Sequence, residues 1–244
     1  MSLIFGRHPV LEALKSEKGV EKILILFGSR GGSLNEIIKL ARQKHVKIVE
    51  VDKQKFREIT KDQPAQGIAA IISDRTYFEI DDIINYAAEK KEKPFVLILD
   101  NILDPHNVGA LIRTAECMGV HGIIFPKDNS ASLNNIAAKS SAGAIEHMKI
   151  CKVTNLARSI DELKEKGIWI IGTSSNAEKT IEQIDVNIPH ALVLGSEGEG
   201  MRRLTGAKCD FLVKIPLYGK IESLNVSVAG GILMWEIKKL RKNL

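Results

Sequence analysis

Runs of four to six apolar residues alternate with stretches whose apolar positions recur every third or fourth residue, and this alternation continues along almost all of the chain. In the first third it predicts a helix over "HPVLEALKS", a strand over "EKILILF", a helix over "SLNEIIKLARQKH", a strand over "VKIVEV", a helix over "DKQKFREIT" and a strand over "GIAAIIS". Ser33 and Asp52 stand just ahead of periodic runs, where helix N-caps belong. Residues 74–94 combine one helical pattern with a charged tail and a proline, which predicts a lightly packed tether. From Phe95 onward "FVLILD", "GIIFP", "MKICKV", "IWIIGT", "ALVLG" and "FLVKIP" are largely apolar, separated by helical patterns at about 107–118, "LNNIAAKSS" and "NLARSIDELKEK" and followed by a long terminal helix. Strands without a polar face are buried on both sides, so these predict a mostly parallel sheet covered by helices. The expected organisation is a small α/β domain over 1–73, a linker over 74–94 and a second α/β domain over 95–244.

Composition narrows the class. The 244 residues are 44% apolar and 27% charged, the balance of a globular protein rather than a disordered or fibrous one. No stretch reaches roughly 18 to 20 uninterrupted apolar residues, and "MSLIFGRHPVLEALKSEKG" has neither the apolar segment nor the cleavage site of a signal peptide. A cytoplasmic protein with no membrane partner is therefore expected. Cys117, Cys151 and Cys209 lie far apart with no CxxC pair, and the six histidines show no ligand spacing. This predicts reduced structural thiols and no metal site. The distribution of charge says more than its sum of +5: residues 1–75 hold 14 Lys+Arg against 9 Asp+Glu, and the rest of the chain balances at 21 and 21. A module with the whole basic excess suits a polyanion, although a solvated basic surface gives the same count.

Ligands of open α/β sheets gather at the carboxyl ends of the strands. Three junctions there break the apolar pattern: "LDNILDPHNVGALIRTAECMG", carrying Asn107 and Arg113; "LVLGSEGEGM", carrying Gly195 and Glu197; and "IPLYGKIESLNVSVA", carrying Glu222, Ser223 and Asn225. Taken singly, Asn107 reads equally as a helix N-cap, Arg113 as a solvated helix residue, the glycines as a turn and Glu222 as a helix-start carboxylate. Taken together, they would leave several buried polar groups unpaired unless a ligand or each other satisfied them. The glycine stretch is G-x-x-G-x-G, neither the dinucleotide fingerprint nor a phosphate loop, and Glu197 and Glu199 would repel a phosphate. A small cation or an uncharged nucleoside suits it better.

In order, these three stretches resemble the three motifs of the SpoU, or TrmH, family of RNA ribose 2′-O-methyltransferases, and "IFGRHPVLEAL" and "QGIAA" resemble the substrate-binding domain fused to its ribosomal-RNA members. The likeness spans nearly the whole chain and is nearest to the RlmB type, which methylates a guanosine ribose in 23S ribosomal RNA. It departs at Leu217 and Tyr218, where the family often has Met and a smaller neighbour. The resemblance implies a SPOUT-type α/β domain with a C-terminal trefoil knot, S-adenosylmethionine as cofactor, and a homodimer. An almost wholly apolar "SLNVSVAGGILMWEI" independently asks for cover beyond one sheet.

The resemblance further implies that Arg113 is the central catalytic residue, with Asn107, Glu197, Ser223 and Asn225 around the acceptor ribose. Thr173, Gly195, Ile215, Leu217 and Leu224 would hold the cofactor. Arg7 is the leading candidate for an RNA contact in the first domain, and with 5% aromatics recognition by charge and hydrogen bonds is expected over base stacking. Three other readings stay open: a methyltransferase for transfer RNA or another ribosomal site, a noncatalytic RNA-binding factor on the same fold, and, remote for want of G-x-G-x-x-G, a dinucleotide-dependent oxidoreductase.

Overall fold

The computed structural model describes residues 2–15, 19–44, 46–61, 63–73, 76–131 and 133–242. The chain divides into two compact units, residues 1–77 and 78–244.

The first unit runs β1 (Ser2–Phe5), α1 (Arg7–Lys15), β2 (Gly19–Leu26), α2 (Gly32–Gln43), β3 (Lys47–Val51), α3 (Lys53–Thr60) and β4 (Ile68–Ser73). Its sheet has the order β1-β4-β2-β3, with β2 and β3 parallel and β4 antiparallel to both β1 and β2. Alternation along β2 sends Ile23 and Ile25 to a core with Val10, Leu14 and Ile37, and Leu24 to the other face with Val51 and Phe56. Strand β1 escaped the pattern because four residues are too few to show a period. Asp52 caps α3, its carboxylate accepting the Lys55 N–H at 2.9 Å. Ser33 does not cap α2, which begins one residue earlier behind Gly31 at φ 137°; its hydroxyl instead accepts from the Arg7 guanidinium at 3.3 Å.

The second unit contains α4 (Ile80–Glu89), β5 (Phe95–Leu99), α5 (Pro105–Cys117), β6 (Gly122–Pro126), α6 (Asn135–Ser140), β7 (Ile150–Val153), α7 (Leu156–Glu165), β8 (Trp169–Thr173), β9 (His190–Leu194), α8 (Arg203–Ala207), β10 (Phe211–Val213) and α9 (Val226–Lys242). Its six strands are all parallel, in the order β10-β8-β9-β5-β6-β7. Every residue of β5, β6 and β9 is buried, as unbroken apolar runs require. The expected light tether at 74–94 is corrected by α4. Ile80 and Ile83 join the core of the second unit with Val96, Ile124 and Ile160, and each such side chain contributes about 1.5–3 kcal/mol. The helical pattern there is amphipathic because one face is covered, not because the segment spans a gap.

At the opposite end of the chain, Arg241 fixes α9 to the start of the sheet. Its guanidinium donates to the carbonyls of Val186, Lys93, Pro94 and Ile188 at 2.9–3.0 Å, and Nη2 lies 3.1 Å from Nδ1 of His190. The same Nδ1 lies 3.0 Å from the Ile188 carbonyl, so the guanidinium and that carbonyl meet at one ring nitrogen. Burial, then the Arg241 charge, lowers the His190 pKa to about 3, whereas an imidazole in the unfolded chain titrates near 6.5. The unfolded state therefore takes up a proton that the native state refuses, and stability is complete above pH 6.5 and falls below it. One such group costs about 1.4 kcal/mol per pH unit. Urea unfolding between pH 7 and 4.5 is expected to show stability falling by about 2–3 kcal/mol from His190, and His190→Gln should remove that share of the slope. His121, also lowered by burial, adds to the acid sensitivity in the same direction.

Cys151 is buried and Cys209 partly so, and burial pushes both thiols up to about 12, which keeps them protonated and inert. Cys117 departs from the expectation of buried thiols, being exposed at the end of α5. Among the described residues no group of His, Cys, Asp or Glu is placed to hold a metal, and no helix is long and apolar enough to cross a membrane.

Candidate active site

The carboxyl ends of β5 and β9 and the start of α9 meet in one hydrogen-bond network. After β5, Asp104 caps α5 by accepting the His106 N–H at 2.9 Å, and Pro105 takes the first helical position. Asn107 is thus not the cap, and its side chain is left to reach across the junction. It donates to Glu197 at 3.1 Å and accepts from the Asn225 amide at 2.9 Å. Asn225 also donates to the same Glu197 oxygen at 2.7 Å, and the Val226 N–H donates to it at 3.1 Å. The other end of the Asn225 amide caps α9, accepting from the Ser227 and Val228 N–H groups at 2.9 and 3.3 Å. Glu197 therefore sits at the positive end of a 17-residue helix, where a carboxylate is favoured.

Beside this network lies a cavity of about 520 Å³, within the range of small-molecule sites. Thr173, Gly195, Ile215, Leu217 and Leu224 all line it, and Glu197, Glu222 and Ser223 stand along it. Its lip is the 196–200 hairpin, closed by mutual N–H to carbonyl bonds of 3.0 Å between Ser196 and Gly200, with Gly198 and Gly200 at φ 86° and 70°. Gly195 makes that hairpin possible: a Cβ there would lie 2.2 Å from the Gly200 carbonyl carbon and the Met201 nitrogen. Backbone groups at close approach, apolar flanks from Leu194, Ile215 and Leu233, and carboxylates instead of a phosphate cradle suit a cationic nucleoside.

Not every expected residue joins. Arg113 lies six residues beyond Asn107, about 120° away around the helix at roughly 100° per residue; it is exposed and makes no hydrogen bond or ion pair among the described residues. Ser223 lines the cavity without bonding to the Asn107–Glu197–Asn225 network. Arg7, in the first unit, spends its guanidinium internally, donating to the Arg30 carbonyl at 2.9 Å, Ser33 Oγ at 3.3 Å and the Gln66 carbonyl at 3.4 Å. Its fork pins loops, so a direct RNA contact is not its evident task.

One residue escaped sequence reasoning. Asp100, directly after β5, is fully buried and accepts from the Arg202 backbone N–H at 2.8 Å and Nε at 2.5 Å. It anchors the chain just past the hairpin, and because Asp100 is buried while Arg202 reaches solvent, removing Arg202 is the costlier change, leaving a buried carboxylate without its cation. The available signal was a carboxylate ending an apolar strand, which burial forces to find a cation.

Comparison with known proteins agrees with this geometry. Residues 94–235 match the SpoU rRNA Methylase family and residues 3–78 match the RNA 2′-O ribose methyltransferase substrate binding family. The chain is 44% identical over 238 residues to YacO of Bacillus subtilis (strain 168), named in the TrmH family of tRNA/rRNA methyltransferases, covering 98% of this chain and 95% of that protein. It is 42% identical to a similarly named protein of Staphylococcus aureus (strain MSSA476), covering 100% and 98%. Among solved structures, the SpoU methyltransferase AviRb from Streptomyces viridochromogenes, in complex with AdoMet, superposes with a TM-score of 0.62 at 20% identity over 99% of this chain and 91% of that one. The A. aeolicus TrmH/SpoU tRNA modifying enzyme is 30% identical over 62% of this chain and 77% of its own, with a TM-score of 0.58. Two domain matches in the expected order and full-length relatives above 40% identity place this chain in the SpoU/TrmH family of RNA methyltransferases.

Proposed function

We propose that this RNA methyltransferase transfers a methyl group from S-adenosylmethionine to the ribose 2′-oxygen of a guanosine in 23S ribosomal RNA, acting in the cytoplasm as a homodimer with the family's trefoil knot. The observation that carries the reading is the Asn107–Glu197–Asn225 network beside a glycine-built cavity. When bound, the cofactor supplies an electrophilic methyl on a positively charged sulfur. Glu197 and Glu222 favour that charge at the cavity, and the backbone around Gly195 and Ile215 receives the nucleoside while Leu217 and Leu224 cover its faces. Thr173 holds the end of β8 in place, its hydroxyl donating to the Val193 carbonyl at 3.0 Å. Asn107, Ser223 and Asn225 orient the acceptor ribose, and positioning alone is worth about 7–11 kcal/mol. Charged Arg113 stabilises the negative charge that grows on the 2′-oxygen, whose proton leaves to solvent or an RNA phosphate.

Helix α9 supports the dimer by exposing Val228, Ile232 and Trp235 at 50%, 40% and 55%, a stripe at helical spacing that a two-fold partner would cover. Names joining transfer and ribosomal RNA among the relatives keep transfer RNA as the second reading of the substrate. The test is incubation with labelled S-adenosylmethionine and unmodified large-subunit ribosomal RNA, with the methylated position read by its resistance to alkaline cleavage, which requires a free 2′-hydroxyl. One protected guanosine is expected. Label entering transfer RNA alone would keep the chemistry and overturn the substrate.

A further inference from the structure

We propose that one edge of the first unit's sheet is its RNA-reading surface, with an unpaired base stacked on Phe27 and adjoining phosphates held by Arg30 and Lys53. The inference rests on the RNA reading above and specifies where and how that RNA is held. Strands β1, β2 and β3 are parallel to one another through the pairings of β4, so their carboxyl ends share an edge with the start of β4. Four glycines with positive φ gather in the turns there: Gly6, Gly28, Gly31 and Gly67. The turns are tightly built. A Cβ on Gly31 would meet the Arg7 guanidinium at 2.5 Å, and one on Gly67 would meet Ser29 Oγ at 2.3 Å. Arg7 ties three of these segments together through Ser33 and the carbonyls of Arg30 and Gln66.

On this fixed frame Phe27 is 75% exposed, the one large apolar side chain so placed among the described residues of the unit. Its backbone is not slack, since its N–H donates to the Val51 carbonyl at 2.8 Å. Strand β3 ends beside it and leads into α3, where Lys53 and Arg57 stand one turn apart and, with Lys61 just past the helix end, line a shallow groove of about 510 Å³ that Gln54 and Glu58 also line. Of the acidic groups here, Asp52 accepts the Lys55 N–H and Glu58 accepts from the Gln54 amide at 3.4 Å, while Glu50 is exposed near the end of β3. The few aromatics of the chain favour charge and hydrogen bonds over stacking, but one exposed rigid ring among glycines and cations, in the unit that holds the basic excess of 14 over 9, has the makeup of a base-stacking platform rather than an apolar protein-docking patch.

The test titrates the full-length protein into transcribed, unmodified large-subunit ribosomal RNA at several salt concentrations. Phe27→Ala is expected to weaken binding by about 5- to 100-fold, as for one stacked base, with the salt dependence unchanged. Phe27→Trp should bind within about 3-fold of the wild type, because a larger ring still stacks. Arg30→Ala should reduce the slope of log K against log salt by about 1, the signature of one lost phosphate contact. All should keep the wild-type melting temperature and affinity for S-adenosylmethionine. Lys44→Ala, an exposed charge at the far end of α2, is the control. If Phe27→Ala binds RNA as the wild type does, or loses no more than Lys44→Ala, the stacking site is overturned while the methyltransferase reading stands. If the wild-type protein neither binds nor methylates this RNA, the ribosomal-RNA substrate falls and the stacking site argued for it falls with it, while the family's methyl-transfer chemistry stands.

Discussion

Arg113→Ala is expected to slow single-turnover methyl transfer by about 10²–10³-fold, the usual loss on removing one donor to a developing oxyanion, while S-adenosylmethionine affinity stays within about twofold. The separation follows from geometry. Arg113 is exposed on α5 and does not line the cavity, which is walled by the strand ends and the start of α9. A guanidinium without a partner among the described residues is free to meet the RNA, and a charge on the 2′-oxygen is what it would meet. Acting as a base is the costlier alternative. Releasing a guanidinium proton at pH 7 takes on the order of 7 kcal/mol before any help from the surroundings. Arg113→Lys separates the two: charge stabilisation predicts partial activity with the wild-type pH profile, and base catalysis predicts a new titration at high pH. Full loss of cofactor binding in Arg113→Ala would place the residue in the cavity and overturn its assigned role.

The parts of this protein that were legible in its sequence are those that burial enforces residue by residue. The runs "FVLILD" and "ALVLG" read as strands covered on both faces, and the structure buries every residue of Phe95–Leu99 and His190–Leu194. Segment 80–89 shows the limit of the same logic. Its helical period was visible, but periodicity says that a face is covered without saying by what, and the cover is the second unit's own core. Ser33 illustrates a local signal outvoted by a tertiary one, because its hydroxyl is held by Arg7, 26 residues away. The candidate site had a mixed legibility. Polar residues at the ends of apolar strands marked the junctions, yet no local pattern could pair Asn107 with Asn225 across 118 residues. Asp100 was read as the end of a strand, since a buried charge is recognisable only when its cation, Arg202, is seen beside it.

Gly195→Ala should weaken S-adenosylmethionine binding by at least about 10-fold, alongside a loss of about 1–3 kcal/mol in stability typical of an added methyl in a packed site. The added carbon would lie 2.2 Å from two backbone atoms, of Gly200 and Met201, so no side-chain rotation relieves it. The hairpin itself must move, and it is held at both ends. Gly195 follows a fully buried strand, and Arg202 is bound to the buried Asp100 carboxylate. The displacement therefore goes into residues 196–200, taking Glu197 away from Asn107, Asn225 and the Val226 N–H and altering the lip of the cavity. Gly198→Ala separates this effect from a general intolerance of the loop. Its Cβ would meet nothing within 4 Å, and its φ of 86° leaves only a backbone strain of about 1–2 kcal/mol. Calorimetric titration of the cofactor and urea unfolding of both variants read the two quantities apart. A Gly195→Ala protein that is less stable but binds S-adenosylmethionine as the wild type does would move the cofactor out of this cavity, because the hairpin cannot shift without reshaping its wall.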